Sequence, residues 1–162
     1  YIDFVRDLHP AQCTLVPDGP EVFTSNRGWD LKADGDRLRP IIDTLHEFDC
    51  RVSLFMAAEP EQIERAVRLG ADRIELYTEP YAAAHVRGDY VSLLKRYVQA
   101  AEVARDGNLG VNAGHDLNRE NLPTLLEAIP FLDEVSIGHA LIADALEFGM
   151  AQTVQLYLAA LT

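Results

Sequence analysis

Short runs of apolar and β-branched residues alternate along this chain with longer stretches whose apolar positions recur at helical spacing. The first run is Cys13-Thr14-Leu15-Val16, ended by Pro17. Before it, Tyr1 to Leu8 reads as the last turns of a helix, stopped near His9-Pro10. A second helix is expected from Asp34 to Phe48, where Leu38, Ile41, Ile42 and Leu45 fall on one face. The second strand is Arg51 to Met56. Pro60 then opens a helix that runs to Leu69, and Gly70 closes it. The third strand is Arg73 to Tyr77, followed by a helix from Tyr90 to Arg105. The fourth strand is Leu109 to Asn112, and Asn118 is a candidate N-cap for a helix reaching Ala128. The fifth strand is Glu134 to Ile137, and a last helix is expected from Ala140 to Ala160.

Strand–helix alternation of this kind implies parallel βα units with right-handed crossovers. Two architectures satisfy it: an open doubly wound sheet and part of a (β/α)8 barrel. A whole barrel takes roughly 250 residues, whereas this chain has 162. Five units in that length fit an α/β TIM barrel whose first three units are missing. Residues 1–162 therefore read as a single domain, the C-terminal portion of a (β/α)8 barrel. The opening residue is Tyr1 rather than Met, inside a helical pattern, as expected where the natural start lies upstream.

Composition narrows the partners. A chain 48% hydrophobic and 25% charged is built for a globular core and excludes bulk disorder. Twenty-six acidic against 14 basic residues leave a formal charge of -12, which argues against a nucleic-acid binder and a polybasic membrane anchor. No apolar run is long enough for a membrane span, and no signal-peptide pattern opens the chain, so a cytoplasmic protein is expected. Cys13 and Cys50 are read as two buried thiols rather than a disulfide. No His, Cys and carboxylate cluster has metal-ligand spacing, so no metal site is expected.

Ligands of parallel α/β folds sit at the carboxyl ends of the strands. The fourth strand ends Val111-Asn112-Ala113-Gly114-His115-Asp116, placing His115 at the rim as a general acid or base, or as a partner in a loop hydrogen bond. The fifth ends Ile137-Gly138-His139 directly before a helix. There the glycine either admits a phosphate to backbone N–H groups or simply makes the turn. Glu75 lies within the third strand, suited either to proton transfer and charge stabilisation or to an ion pair with Arg73 or Arg51. Thr24 and Ser25, in the long loop after the first strand, offer hydroxyls to a ligand or to a turn. His9, His46 and His85 lie away from the strand ends and receive no role.

These residues resemble pyridoxine 5'-phosphate synthase, the ring-closing enzyme of the deoxyxylulose-dependent route to vitamin B6. The resemblance is carried by Thr14-Leu15-Val16-Pro17 with its loop to Gly28, by Val52 to Phe55, by Ile74 to Ala82, by Val111 to Asn118, and by Ile137 to Ile142. It runs from end to end of the chain and corresponds to the C-terminal two-thirds of the family's (β/α)8 barrel. It implies condensation of 3-amino-2-oxopropyl phosphate with 1-deoxy-D-xylulose 5-phosphate, without metal or redox cofactor, by a homo-oligomer. It further implies that His115 donates a proton, Glu75 stabilises charged transition states, and Thr24 binds the deoxyxylulose phosphate. Asp116, Gly138 and His139 would contact the aminoketone phosphate largely through backbone groups. Asp116 departs from the Gly of many relatives, and Tyr77 from a common His. Arg27 and Trp29 are expected in a mobile lid. The general base and the phosphate-gripping arginine of the family belong to the part not present here. The alternatives are a catalytically incomplete fragment, a phosphate-binding remnant, or another phosphate-handling barrel such as an epimerase or aldolase. An aldolase lysine is not in evidence at a strand end, because Lys32 lies in a loop and Lys95 on a helix.

Overall fold

The computed structural model describes residues 1–161. Five strands, β1 (Gln12–Leu15), β2 (Arg51–Met56), β3 (Arg73–Tyr77), β4 (Gly110–Gly114) and β5 (Glu134–Ser136), form one sheet in the order 1-2-3-4-5. Every neighbouring pair is parallel. A doubly wound sheet would reverse its strand order at a switch point; here the order never reverses.

The sheet is strongly curled. Arg51 Nη2 on β2 lies 2.7 Å from Glu134 Oε1 on β5, although three strand spacings in a flat sheet amount to roughly 14 Å. The Glu75 carboxylate on central β3 takes hydrogen bonds from Thr14 on β1 and Ser136 on β5, the two outer strands. The result is a half-barrel with a concave inner face.

Alternation along each strand sets what each face carries. Cys13, Leu15, Val52, Leu54, Met56, Ile74, Leu76, Val111 and Ala113 point outward and are buried beneath the helices. The inward set is largely polar: Thr14, Arg51, Ser53, Arg73, Glu75, Asn112, Glu134 and Ser136, joined by Phe55 and Tyr77. At the amino-terminal end of the strands these groups pair with one another. Arg73 Nη1 donates to Asn112 Oδ1 at 2.9 Å and lies 3.1 Å from Asp133 Oδ2. Asn112 Nδ2 donates to Glu134 Oε2 at 3.1 Å, and Arg51 Nε donates to Gln12 Oε1 at 2.8 Å.

The helices follow the periodic segments, with four departures. α1 (Ile2–Leu8) precedes β1, and α2 (Leu31–His46) buries Leu31, Leu38, Ile42 and Leu45. α2 begins three residues before the expected Asp34, because Asp30 is its N-cap and accepts from Lys32 N–H. α3 (Pro60–Leu69) ends at left-handed Gly70, and α5 (Val91–Asp106) packs Tyr97, Ala100, Ala101 and Ala104 inward. Between β3 and α5 lies an unexpected helix, α4 (Glu79–Arg87). α6 is short (Leu122–Ala128): Asn118 Oδ1 accepts from Glu120 and Asn121 N–H in a turn instead of capping the helix. The expected last helix is two, α7 (His139–Phe148) and α8 (Met150–Ala160), broken at Gly149 with φ 80°.

Cys13 and Cys50 are both buried free thiols. Among the described residues, no helix is long and apolar enough to cross a membrane. Five apolar side chains of α7 and α8 are exposed, Ile142, Leu146, Met150, Val154 and Leu158, Leu146 to 87%.

Candidate active site at the barrel mouth

The carboxyl ends of the strands bring together residues far apart in sequence. β4 leaves the sheet at Gly114 and enters two left-handed residues, His115 (φ 90°) and Asp116 (φ 58°). Such backbone is unfavourable for residues with a Cβ and persists where the surroundings hold it. Thr78, at the end of β3, supplies that hold. Its Oγ1 donates to the carbonyls of Gly114 (2.7 Å) and His115 (2.6 Å), and its N–H donates to Gly114 O at 3.0 Å. Asn121 Nδ2 fastens the Asp116 carbonyl at 3.1 Å.

The imidazole of His115 is thereby directed over the mouth. Its Nε2 lies 3.2 Å from Thr24 Oγ1, and its ring meets Tyr77 edge-on, with centroids 5.0 Å apart. Nδ1 is buried and makes no hydrogen bond among the described residues; the Asp116 carboxylate stands 3.4 Å from it.

Glu75 lies below this ring on the inner face. Burial pushes its carboxyl above the usual carboxylate range, and Glu134 pushes the same way. The hydroxyls of Ser136 and Thr14 and the nearby His115 oppose the rise. Gly114 makes the space: a Cβ there would run into the Glu75 carboxylate and lie 3.0 Å from Ser136 Cβ. Arg51 and Arg73 do not reach Glu75. They are engaged at the other end of the strands, so Glu75 is held by hydroxyls rather than by an ion pair. Burial also raises the Tyr77 phenol, with Glu79 adding to the rise through charge and a 3.4 Å hydrogen bond.

The loop after β1 carries Thr24 to this cluster. Within it Ser25 Oγ donates to Asp18 Oδ2, and Val22 N–H donates to Gly19 O. Its far end is pinned. Trp29 Nε1–H donates to Leu15 O at 2.8 Å and Trp29 N–H to Phe55 O at 3.0 Å. Gly28 packs so closely on the Met56–Ala57 backbone that a Cβ would overlap it. Trp29 is therefore a buried anchor, contrary to its expected place in a mobile lid; Arg27 is exposed.

Gly138 and His139 stand at the start of α7, two and three residues beyond Ser136, the register partner of Gly114. Both are exposed at the same end of the barrel as His115. The first N–H groups of α7 have no acceptor in the helix and face the mouth with the positive end of the dipole. The space over Gly138 is open, with nothing within 4 Å of a Cβ placed there. Among the described residues no group of three or more His, Cys, Asp or Glu is placed to hold a metal ion.

The sequence pointed to His115, Glu75 and Thr24, and the fold unites them. Thr78, Thr14, Ser136 and Asp18 were not singled out. Thr14 and Ser136 carried a usable signal: they share the inward parity of Glu75 on the two outer strands.

A parallel half-barrel with a histidine, a buried carboxylate and a helix N-terminus at its mouth has the layout of a TIM-barrel enzyme site. Residues 1–162 match the family of the pyridoxal phosphate biosynthesis protein PdxJ, and the chain belongs to that family. It is 53% identical over 153 residues to the pyridoxine 5'-phosphate synthase of Albidiferax ferrireducens, covering 94% of this chain and 61% of that protein. It is 46% identical over 157 residues to that of Porphyromonas gingivalis and 48% over 157 residues to that of Bacteroides thetaiotaomicron. Each of these two alignments covers 97% of this chain and 66% of the relative. The chain thus spans somewhat under two-thirds of the length of these curated relatives.

Proposed function

We propose that this chain forms the C-terminal two-thirds of a pyridoxine 5'-phosphate synthase barrel. Such an enzyme condenses 3-amino-2-oxopropyl phosphate with 1-deoxy-D-xylulose 5-phosphate to give pyridoxine 5'-phosphate, phosphate and water. The observation that carries the reading is the union of His115, Glu75 and Thr24 at one mouth, in a chain of this family.

In this reading the amine of one substrate and the carbonyl of the other form a Schiff base. His115 donates a proton from Nε2 to an oxygen that leaves. Glu75, buried beside it, balances positive charge that develops on the nitrogen-bearing intermediate. The Thr24 hydroxyl binds the deoxyxylulose phosphate at the loop. Backbone N–H groups at Asp116 and at Gly138-His139 hold the aminoketone phosphate, where the α7 dipole favours an anion. The scheme uses no metal or redox cofactor. The first three βα units would complete the barrel and bring the remaining catalytic groups. The protein would be cytoplasmic and act as a homo-oligomer.

A second reading, a catalytically incomplete portion of that barrel, is favoured by the open sheet. Among the described residues β1 and β5 each have a strand on one side only. One assay separates the two: pyridoxine 5'-phosphate formation from both substrates, by this chain and by this chain preceded by the N-terminal third of the Albidiferax relative. Product from the extended protein alone supports an incomplete portion of a synthase. Product from both supports a self-sufficient chain. A folded extended protein without product overturns the synthase reading.

A further inference from the structure

We infer that Thr78 is a positioning residue for His115, its hydroxyl fixing the left-handed backbone that aims the imidazole across the mouth. The inference rests on the proposal that His115 is the proton donor. Thr78 itself is fully buried and presents no surface to a ligand.

His115 and Asp116 are consecutive non-glycine residues at positive φ, a conformation the chain does not adopt unaided. The Asp116 side of this turn is held from below: Asn121 Nδ2 donates to Asp116 O, and the Tyr81 hydroxyl donates to Asn121 O at 2.7 Å. On the His115 side the support is the Thr78 hydroxyl, which shares one proton between two successive carbonyls, Gly114 O and His115 O. The Thr78 N–H still reaches Gly114 O when the hydroxyl is removed, but it does not serve His115 O. Loss of the hydroxyl therefore frees the peptide that follows His115. The ring then leaves the Thr24 hydroxyl and the edge of Tyr77, both of which require its present direction. Thr78 is also the N-cap residue of α4, yet its side chain makes no cap hydrogen bond. The hydroxyl serves the neighbouring strand end rather than its own helix.

The test compares Thr78→Val, which keeps the shape and deletes the hydroxyl, with Thr78→Ser, which does the reverse. In this chain, NMR reads the His115 amide–Hα coupling, which reports φ, and the His115 ring-proton shift. Both should change in T78V and stay at their wild-type values in T78S. If valine prevents folding, Thr78→Ala takes its place in the same comparison. In an active form of the enzyme, T78V should lower kcat by about tenfold to a hundredfold, with KM for both substrates within about twofold and with T78S close to wild type. Wild-type His115 signals in T78V, or equal changes in T78S and T78V, overturn the inference. Should no form make pyridoxine 5'-phosphate, the synthase reading fails, while the NMR comparison still decides whether Thr78 sets the His115 backbone.

Discussion

Thr24 Oγ1 stands 3.2 Å from Nε2 of His115, joining residues 91 positions apart. The contact places the loop after β1 over the nitrogen that would deliver a proton, so loop position and ring direction are coupled. His115→Ala should lower turnover by about 10²- to 10⁴-fold, the usual worth of a positioned acid. Phosphate binding should survive, because the N–H groups at the start of α7 are untouched. Steady-state kinetics and phosphate titration by calorimetry on an active form check both halves; near-normal turnover removes His115 from the role.

Glu75 predicts a pH dependence of stability. Its folded-state carboxyl is raised above the ordinary value, chiefly by burial. Between the unfolded and folded values the native state binds the extra proton, so this contribution is present at low pH and is lost as pH rises through the folded value. Glu75→Gln, which carries no charge, should therefore be more stable than wild type near neutrality, with the advantage shrinking as pH falls toward 4.5. Urea melts at several pH values test the sign. A constant difference across that range contradicts it.

Gly114→Ala should act on Glu75 from the side. The new methyl would occupy the space of the carboxylate and press on Ser136. Overpacking of this kind costs about 1–3 kcal/mol, and a displaced Glu75 should also lose its hydroxyl partners. A melting curve and a turnover measurement on the same variant suffice. A wild-type melting temperature with full activity would show that the site yields at no cost.

The exposed apolar side chains of α7 and α8 predict association. Five exposed apolar side chains on two consecutive helices, Ile142, Leu146, Met150, Val154 and Leu158, exceed the scattered apolar residues of an ordinary surface. Light scattering on the isolated chain should give a mass above 18.0 kDa that rises with concentration. Leu146→Glu, at the most exposed of the five, should lower it. A wild-type mass of 18.0 kDa at every concentration rules this out.

Much of this architecture was legible from periodicity, and the misses have physical reasons. α4 escaped notice because Glu79–Arg87 buries Tyr81, Ala82 and Ala84, two of them alanines that leave little hydrophobic signal. α7 and α8 read as one helix because the four-residue spacing from Ile142 to Leu158 runs straight through Gly149, whose φ of 80° alone turns the chain. Strand-end reading found His115, Glu75 and Thr24, since rim position follows from strand order. It could not find Thr78: a threonine after a strand has no pattern, and its meaning lies in two carbonyls of another strand.

The charged pairs at the amino-terminal end of the strands bear on how the sheet finds its pairing. On the inner face, Thr14, Ser53 and Ser136 are small and would tolerate a misplaced neighbour. Arg51 and Arg73 would not. A one-residue slip of β2 or β3 would turn an arginine outward, among the residues beneath the helices, and take one arginine from Glu134. An arginine sealed beneath the helices without a partner carries a desolvation cost that the partly exposed native pair avoids, so the slipped pairing is disfavoured as the helices pack. Apolar substitutes for Arg51 and Glu134 together would then leave the melting temperature little changed, while allowing the chain to refold into more than one register. The floor of the barrel thus acts less as cement than as a key cut for one alignment of its strands.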